Sequence, residues 1–180
     1  MDKTKVLENL TMMRDLYVAK NLDYGDSFNK SLQQYGYTAA MCRIGDKMNR
    51  IERLEGAEDK AQVNESLVDT YKDAATYCMM LVGFIDSQDN SIIKSTLETL
   101  SEEETKWPTL SGFEATVRTF DEMAEYIKAL EELEPTTPEE AVSYFRLVET
   151  LVSQNLATTS LVKRLCIQCA TMFILLASRN

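Results

Sequence analysis

Between residues 67 and 85 the side chains Leu67, Tyr71, Ala74, Cys78, Leu81 and Ile85 follow a 4-3-4-3-4 spacing. That interval keeps them on one face of a 3.6-residue helix and is incompatible with the two-residue alternation of a strand. A continuous stripe of this length has to be buried against other helices. No segment shows strand alternation bounded by turn residues, and Gly and Pro number only six and three in 180 residues. The expected fold class is all-α. The chain is long enough for one ordinary domain, or two small ones, with a real core.

The same periodicity predicts a first helix over residues 3–20, with Val6, Leu10, Met13, Tyr17 and Val18 as its stripe. A short helix from Phe28 ends near Gly36, and a long one spans 38–54, with Thr38 as N-cap and Ile44, Met48, Ile51 and Leu54 inward. The helix carrying the 4-3-4 stripe is expected over 63–85. After Asp86 the chain turns polar at Ser87-Gln-Asp-Asn90, acidic at Glu102-Glu-Glu104, and is punctuated by Trp107-Pro108. This reads as a linker over 87–112 with one short helix, 92–100. Two or three more helices are expected, over 113–133, 138–155 and 159–178. Thr137 before Pro138-Glu-Glu140 supplies an N-cap, a proline at the first position and acids in the first turn.

The resulting organisation is a helical domain over 1–86, the linker, and a C-terminal helical region over 113–180. That last region is either structural or a degenerate repeat. Ser160-Leu-Val162 echoes Ser66-Leu-Val68, and Arg146 to Glu149 echoes Arg43 to Asp46. In such a repeat Lys163 and Ile167 stand where Asp69 and Asp73 would be. Chance similarity between amphipathic helices gives the same echo.

Charge and chemistry narrow the function. A formal charge of −10 argues against nucleic acid as the main partner, because that binding needs Lys and Arg to neutralise phosphates. The chain has no histidine, which removes His-based acid–base chemistry, Ser-His-Asp triads and most zinc sites. Cys42, Cys78, Cys166 and Cys169 lie in apolar helical stretches, so a reduced, cytoplasmic setting is expected. The Cys166-x-x-Cys169 spacing lacks a second pair for zinc, and both residues are expected to be buried. The longest apolar run, near 169–177, is too short to span a bilayer, so no membrane partner is expected.

Three polar clusters exceed what packing needs: Lys20-Asn-Leu-Asp-Tyr-Gly-Asp-Ser-Phe28, Arg43-Ile-Gly-Asp-Lys-Met-Asn-Arg50 and Glu65-Ser-Leu-Val-Asp-Thr-Tyr-Lys-Asp73. Glu65, Asp69 and Asp73 recur every fourth residue. Each step turns only about 40°, so the three carboxylates share one helix stripe roughly 12 Å long. They repel unless a cation joins them, and Mg²⁺ takes hard oxygen ligands of this kind. A solvated acidic face reads the same way. Asp46 is a further candidate ligand, with Lys47 and Arg50 placed to grip phosphate oxygens, or to form a salt-bridged surface. Lys20, Asn21, Asp23 and Tyr24 sit at a helix end. There Asn21 can read a base edge and Tyr24 can stack, or the segment is a plain helix stop.

Residues 10–86 resemble the phage and bacterial family called nucleotide modification associated domain 1. The resemblance is carried by Lys20-Asn21-x-Asp23-Tyr24-Gly25-x-Ser27-Phe28, Arg43-x-x-Asp46-Lys47-x-Asn49-Arg50 and Glu65-Ser66-Leu67-x-Asp69-Thr70-x-x-Asp73-x-x-x-Tyr77. That family looks related to the all-α nucleoside triphosphate pyrophosphatases of the MazG and dimeric dUTPase type. The resemblance implies a MazG-like helical bundle, often dimeric, with Mg²⁺ held by acids of two helices. In that superfamily the ligands usually read ExxE on one helix and ExxD on the next. This chain offers Asp46 with no ExxE, and Glu65-x-x-x-Asp69 in place of ExxD.

The expectation is a Mg²⁺-dependent pyrophosphohydrolase that converts a (deoxy)nucleoside triphosphate into monophosphate and pyrophosphate, in phage nucleotide metabolism and as a homo-oligomer. Asp46, Glu65, Asp69 and Asp73 would hold metal, with Glu65 and Asp69 also catalytic. Lys47 and Arg50 would stabilise the phosphates, and Lys20, Asn21, Asp23 and Tyr24 would bind the nucleotide. The alternative is a non-catalytic helical protein that binds or sequesters a nucleotide, or docks on a protein partner.

Overall fold

The computed structural model describes residues 1–56, 65–100 and 110–179, with the side chains of 90–100 excepted. Among the described residues there are seven helices and no strand, as the all-α expectation requires. They are α1 (Lys3–Tyr24), α2 (Ser27–Tyr35), α3 (Thr38–Leu54), α4 (Leu67–Leu100), α5 (Gly112–Ala129), α6 (Pro138–Ser153) and α7 (Thr159–Ala177).

Helix α1 buries Val6, Leu10, Met13 and Tyr17 and runs four residues beyond the expected stop at Lys20. Asn21, Asp23 and Tyr24 are therefore helical. The stop is Gly25, in the left-handed conformation at φ 57°, whose N–H donates to the Asn21 carbonyl at 2.9 Å. Asp26 is left-handed as well, at φ 59°, an uncommon state for a residue with a Cβ. Its carboxylate accepts a hydrogen bond from the buried Asn29 amide at 2.6 Å. Two consecutive left-handed residues reverse the chain, so α2 starts at once and Phe28 lies beside the end of α1.

Helix α3 has the expected bounds, but Thr38 is its first helical residue and Tyr37, which makes no side-chain cap, precedes it. The start expected for the next helix, at 63, lies outside the described residues. Within them α4 begins at Leu67. The expected break after Ile85 is absent, because α4 continues to Leu100. Ser87 donates to the Phe84 carbonyl at 2.7 Å, and Gln88 and Asp89 face solvent, so polar residues there decorate the helix without ending it. The acidic run and Trp107-Pro108 lie outside the described residues. Helix α5 ends at Ala129, four residues short of expectation.

Capping follows the sequence closely at α6. Thr137 and Glu140 form a reciprocal capping box, with Glu140 N–H to Thr137 Oγ1 at 3.1 Å and Thr137 N–H to Glu140 Oε2 at 2.7 Å. Backbone and hydroxyl donors at Thr137 hold the Glu140 carboxyl below its usual range. A lowered folded pKa means stability that is present above about pH 4.5 and lost as pH falls through the folded value. A Glu140→Ala chain is expected to melt below the native protein at pH 7. Thermal melts between pH 7 and pH 3 should show that gap narrowing below pH 4.5, and a gap independent of pH would contradict the linkage.

Buried side chains from all seven helices form one core, in which Phe120, Phe145 and Phe173 are fully enclosed. Each contributes about 1.5–3 kcal/mol by leaving water. Helix α4 packs on α3, α5 and α7, α7 packs on α4, α6 and α1, and the pairs α1·α5 and α3·α6 complete the frame. Exchanging α1, α3 and α4 with α5, α6 and α7 maps these pairs onto one another. The second half therefore covers the first along α1, α3 and α4. Helix α7 is long and apolar enough by composition to cross a membrane, but 61% of that stretch is buried in this core. Cys166 and Cys169 are buried as expected, whereas Cys42 is exposed.

Candidate functional site

Two helices of the first half carry mixed faces, apolar and charged at helical spacing. Met13, Leu16, Tyr17, Lys20 and Tyr24 follow one another on α1, and Lys72, Asp73, Thr76, Tyr77 and Met80 on α4. These faces look at each other across a gap that the α1–α2 reversal closes with Ser27 and Phe28, and α3 with Arg43. The result is a cavity of about 300 Å³. Its size is at the small end of ligand pockets.

The cavity is aromatic inside and cationic at its mouth. Phe28 and Tyr77 pack with ring centroids 5.5 Å apart, and Tyr17 stacks on Phe113 and Phe120 of α5 at 5.8 Å each. The Tyr17 hydroxyl is buried beside Thr116 without a well-formed hydrogen bond, and burial raises its pKa. Tyr24 is 69% exposed at the rim, a free ring face beside the opening. Lys20, Arg43 and Lys72 line the cavity and, among the described residues, form no ion pair. Among the described residues the single carboxylate in the wall is Asp73, which accepts a hydrogen bond from Lys47 at 2.7 Å.

That ion pair belongs to a network between α3 and the start of α4. The Lys47 ammonium also lies 3.7 Å from Glu65, whose other oxygen is 3.5 Å from Arg50. Arg50 further donates to Thr70 Oγ1 at 2.9 Å and to the Glu65 carbonyl. Burial alone would lower the Lys47 pKa. The hydrogen bond and charge of Asp73, with Glu65 and Tyr77, outweigh it and leave the value above that of an ordinary lysine.

The expected site residues thus divide. Lys20, Asn21, Tyr24 and Asp73 come together around the cavity, while Asp23 is exposed and not in its wall. Lys47 and Arg50, expected to face phosphate, are turned onto carboxylates instead. Asp69, expected as a metal ligand, accepts from the Ser66 hydroxyl at 2.7 Å and from its N–H at 3.3 Å, while Ser66 Oγ accepts from Asp69 N–H at 3.0 Å. With the helix starting at Leu67, this is a cap, and it explains the acid without a metal. Asp46 is exposed and outside the cavity wall. Among the described residues no three acids or cysteines lie close enough to hold a metal ion. The Mg²⁺ ligand set Asp46, Glu65, Asp69 and Asp73 is therefore not assembled. Asn49, part of the second cluster, accepts from Arg146 of α6 at 2.6 Å and so ties the two halves together.

Sequence reasoning placed Met13 and Tyr17 in a core stripe, gave Leu16 and Met80 no role, and named Arg43 and Lys72 without giving them a ligand. Their signal was the interleaving of charge with apolar residues on one helix face, which a fully buried stripe does not show.

No curated protein and no solved structure matches the chain. The segment that supplies the last turn of α1, α2, α3 and the first half of α4, residues 20–83, matches the family described as nucleotide modification associated domain 1.

Proposed function

We propose that this chain is a nucleotide-binding protein whose cavity takes a nucleoside phosphate, the base against Tyr24 and Phe28 and the phosphate toward Lys20, Arg43 and Lys72. One observation carries the reading: among the described residues of a chain of charge −10, three cations without an ion pair converge on an aromatic cavity whose only acid is already paired. Arginine meets phosphate with a planar fork and lysine as a point charge. Aromatic rings accept the face of a base with little regard to its identity. The family description, nucleotide modification associated, points to the same ligand class.

A Mg²⁺-dependent pyrophosphohydrolase would need carboxylates free to converge on a metal. Glu65 and Asp73 face Lys47, and Asp69 caps α4, so binding without turnover is the better supported reading. Thermal melts with a panel of nucleosides, nucleoside monophosphates and deoxynucleoside triphosphates test it. Ligand at a hundredfold excess over Kd stabilises by about 2.7 kcal/mol, and a domain of this size gains about 2–4 °C per kcal/mol. Phosphorylated members should raise Tm by about 5–10 °C, and the bare nucleosides should not. A panel that leaves Tm unchanged rejects the proposal, and pyrophosphate release from any triphosphate restores the hydrolase.

A further inference from the structure

The acids that the family resemblance offers for Mg²⁺ do not fit it here, and the reason is specific. The ammonium of Lys47 sits between Glu65 and Asp73, 3.7 Å from one and 2.7 Å from the other, with its side chain only 22% exposed. Arg50 supplies the second positive charge against Glu65. Among the described residues two cations face two carboxylates, so the charges in this network balance. A divalent ion entering it would have to expel the ammonium and share its acids with Arg50. The geometry points to Lys47 as an internal replacement for the metal: its ammonium already holds Glu65 and Asp73, the acids that a divalent ion would have to draw together, and the neighbouring cavity takes its phosphate ligand metal-free. The ligand half of this inference rests on the nucleotide-binding reading, whereas the Lys47 half does not.

Lys47 also has a positioning role. By holding Asp73 from the α3 side it neutralises an acid of the cavity wall that would otherwise repel phosphate near Lys72. Removing the ammonium should therefore do two separable things. It should expose a carboxylate pair to cations, and it should weaken anion binding in the cavity.

Electron paramagnetic resonance of Mn²⁺ titrated into the full chain, with no nucleotide present, tests the first. The native protein should leave Mn²⁺ free up to about millimolar concentration, and Lys47→Met should bind it at least tenfold more tightly. Adding Glu65→Gln to Lys47→Met should remove that gain, and circular dichroism confirms that each variant is folded. Native protein that binds Mn²⁺ through a site abolished by Glu65→Gln or Asp73→Asn overturns the inference. So does a folded Lys47→Met that gains no affinity. If Lys47→Met does not fold, the native titration decides alone.

Nucleotide affinity measured by calorimetry in EDTA and in Mg²⁺ tests the second. It should agree within twofold for a monophosphate, and Lys47→Met should bind that monophosphate more weakly. A requirement for Mg²⁺ contradicts the metal-free cavity. Should no nucleotide bind under either condition, the nucleotide reading falls while the Mn²⁺ result still judges Lys47.

Discussion

A Gly83→Ala chain is expected to melt about 10 °C below the native protein and to bind its ligand less well. Gly83 lies mid-way along α4, where alanine normally stabilises a helix by about 1 kcal/mol over glycine. Here a Cβ would stand 2.5 Å from Thr116 Oγ1 and 2.6 Å from both the Cα and the backbone nitrogen of Thr116. Two of those atoms are backbone, so no rotamer change relieves the contact and α5 must move. Overpacking of this kind costs about 1–3 kcal/mol and occasionally more, and with backbone on the far side we take the upper end. At about 2–4 °C per kcal/mol, 3 kcal/mol corresponds to roughly 10 °C. Ligand binding follows because α5 presents Phe113 and Phe120 to Tyr17, and Tyr17 forms part of the cavity wall. Gly45→Ala is the matched control. Its Cβ would meet the flexible end of Glu149 at 3.3 Å and no backbone, so it should be neutral or mildly stabilising. Calorimetric melts of the two variants give the comparison, and equal effects would mean that the α4–α5 contact is not the constraint.

The contrast shows what could be read from residue types and what could not. Helix α3 was legible to both ends because a clean stripe lies between Gly36, which ends α2, and Gly56, both at positive φ. The length of α4 was not legible, because Ser87, Gln88 and Asp89 look like a loop until one sees that Ser87 is buried with its hydroxyl on the Phe84 carbonyl, while Gln88 and Asp89 face solvent from a helix with no breaker in it. That same uncertainty about where α4 starts hid the job of Asp69. Every-fourth spacing describes a ligand stripe and a cap equally well, and only a start at Leu67 puts Asp69 at the third helical position, facing Ser66. The choice between phosphate and carboxylate partners for Lys47 and Arg50 stayed open for a related reason. Their chemistry suits phosphate, but α3 and α4 pack so that carboxylates reach them first. Of the turn cluster at residues 20–28, Lys20, Asn21 and Tyr24 all reach the cavity, so that wall was legible as a polar helix end. The opposite wall was not, because nothing in the periodicity of α1 says that Lys72, Thr76 and Tyr77 lie across from it.

Removing Lys20 and Arg43 together should weaken nucleoside phosphate binding by about a hundredfold while leaving Tm in the absence of ligand almost unchanged. Both side chains are exposed and form no ion pair among the described residues, so the fold does not depend on them, and surface changes of this sort usually stay within about 0.5 kcal/mol. In the complex each would donate a charge-assisted hydrogen bond to phosphate, worth about 1.5–3 kcal/mol, and two such losses give a hundredfold or more. The effect has a competing explanation, since taking two positive charges from an acidic chain weakens its attraction for any anion. Lys128→Ala separates the two. It removes a cation on α5, outside the cavity wall, and should alter affinity by less than twofold at 0.15 M salt, where the screening length is about 8 Å. Arg43→Lys separates charge from shape, because it keeps the cation and loses the planar fork. An affinity midway between the native protein and Arg43→Ala would show that bidentate contact contributes. Tyr24→Ala should cost a further 1–3 kcal/mol if the base stacks there, and should leave binding of inorganic phosphate untouched. Native affinity in the Lys20, Arg43 double variant would mean that the ligand lies elsewhere, and that these cations only balance the charge of an acidic surface.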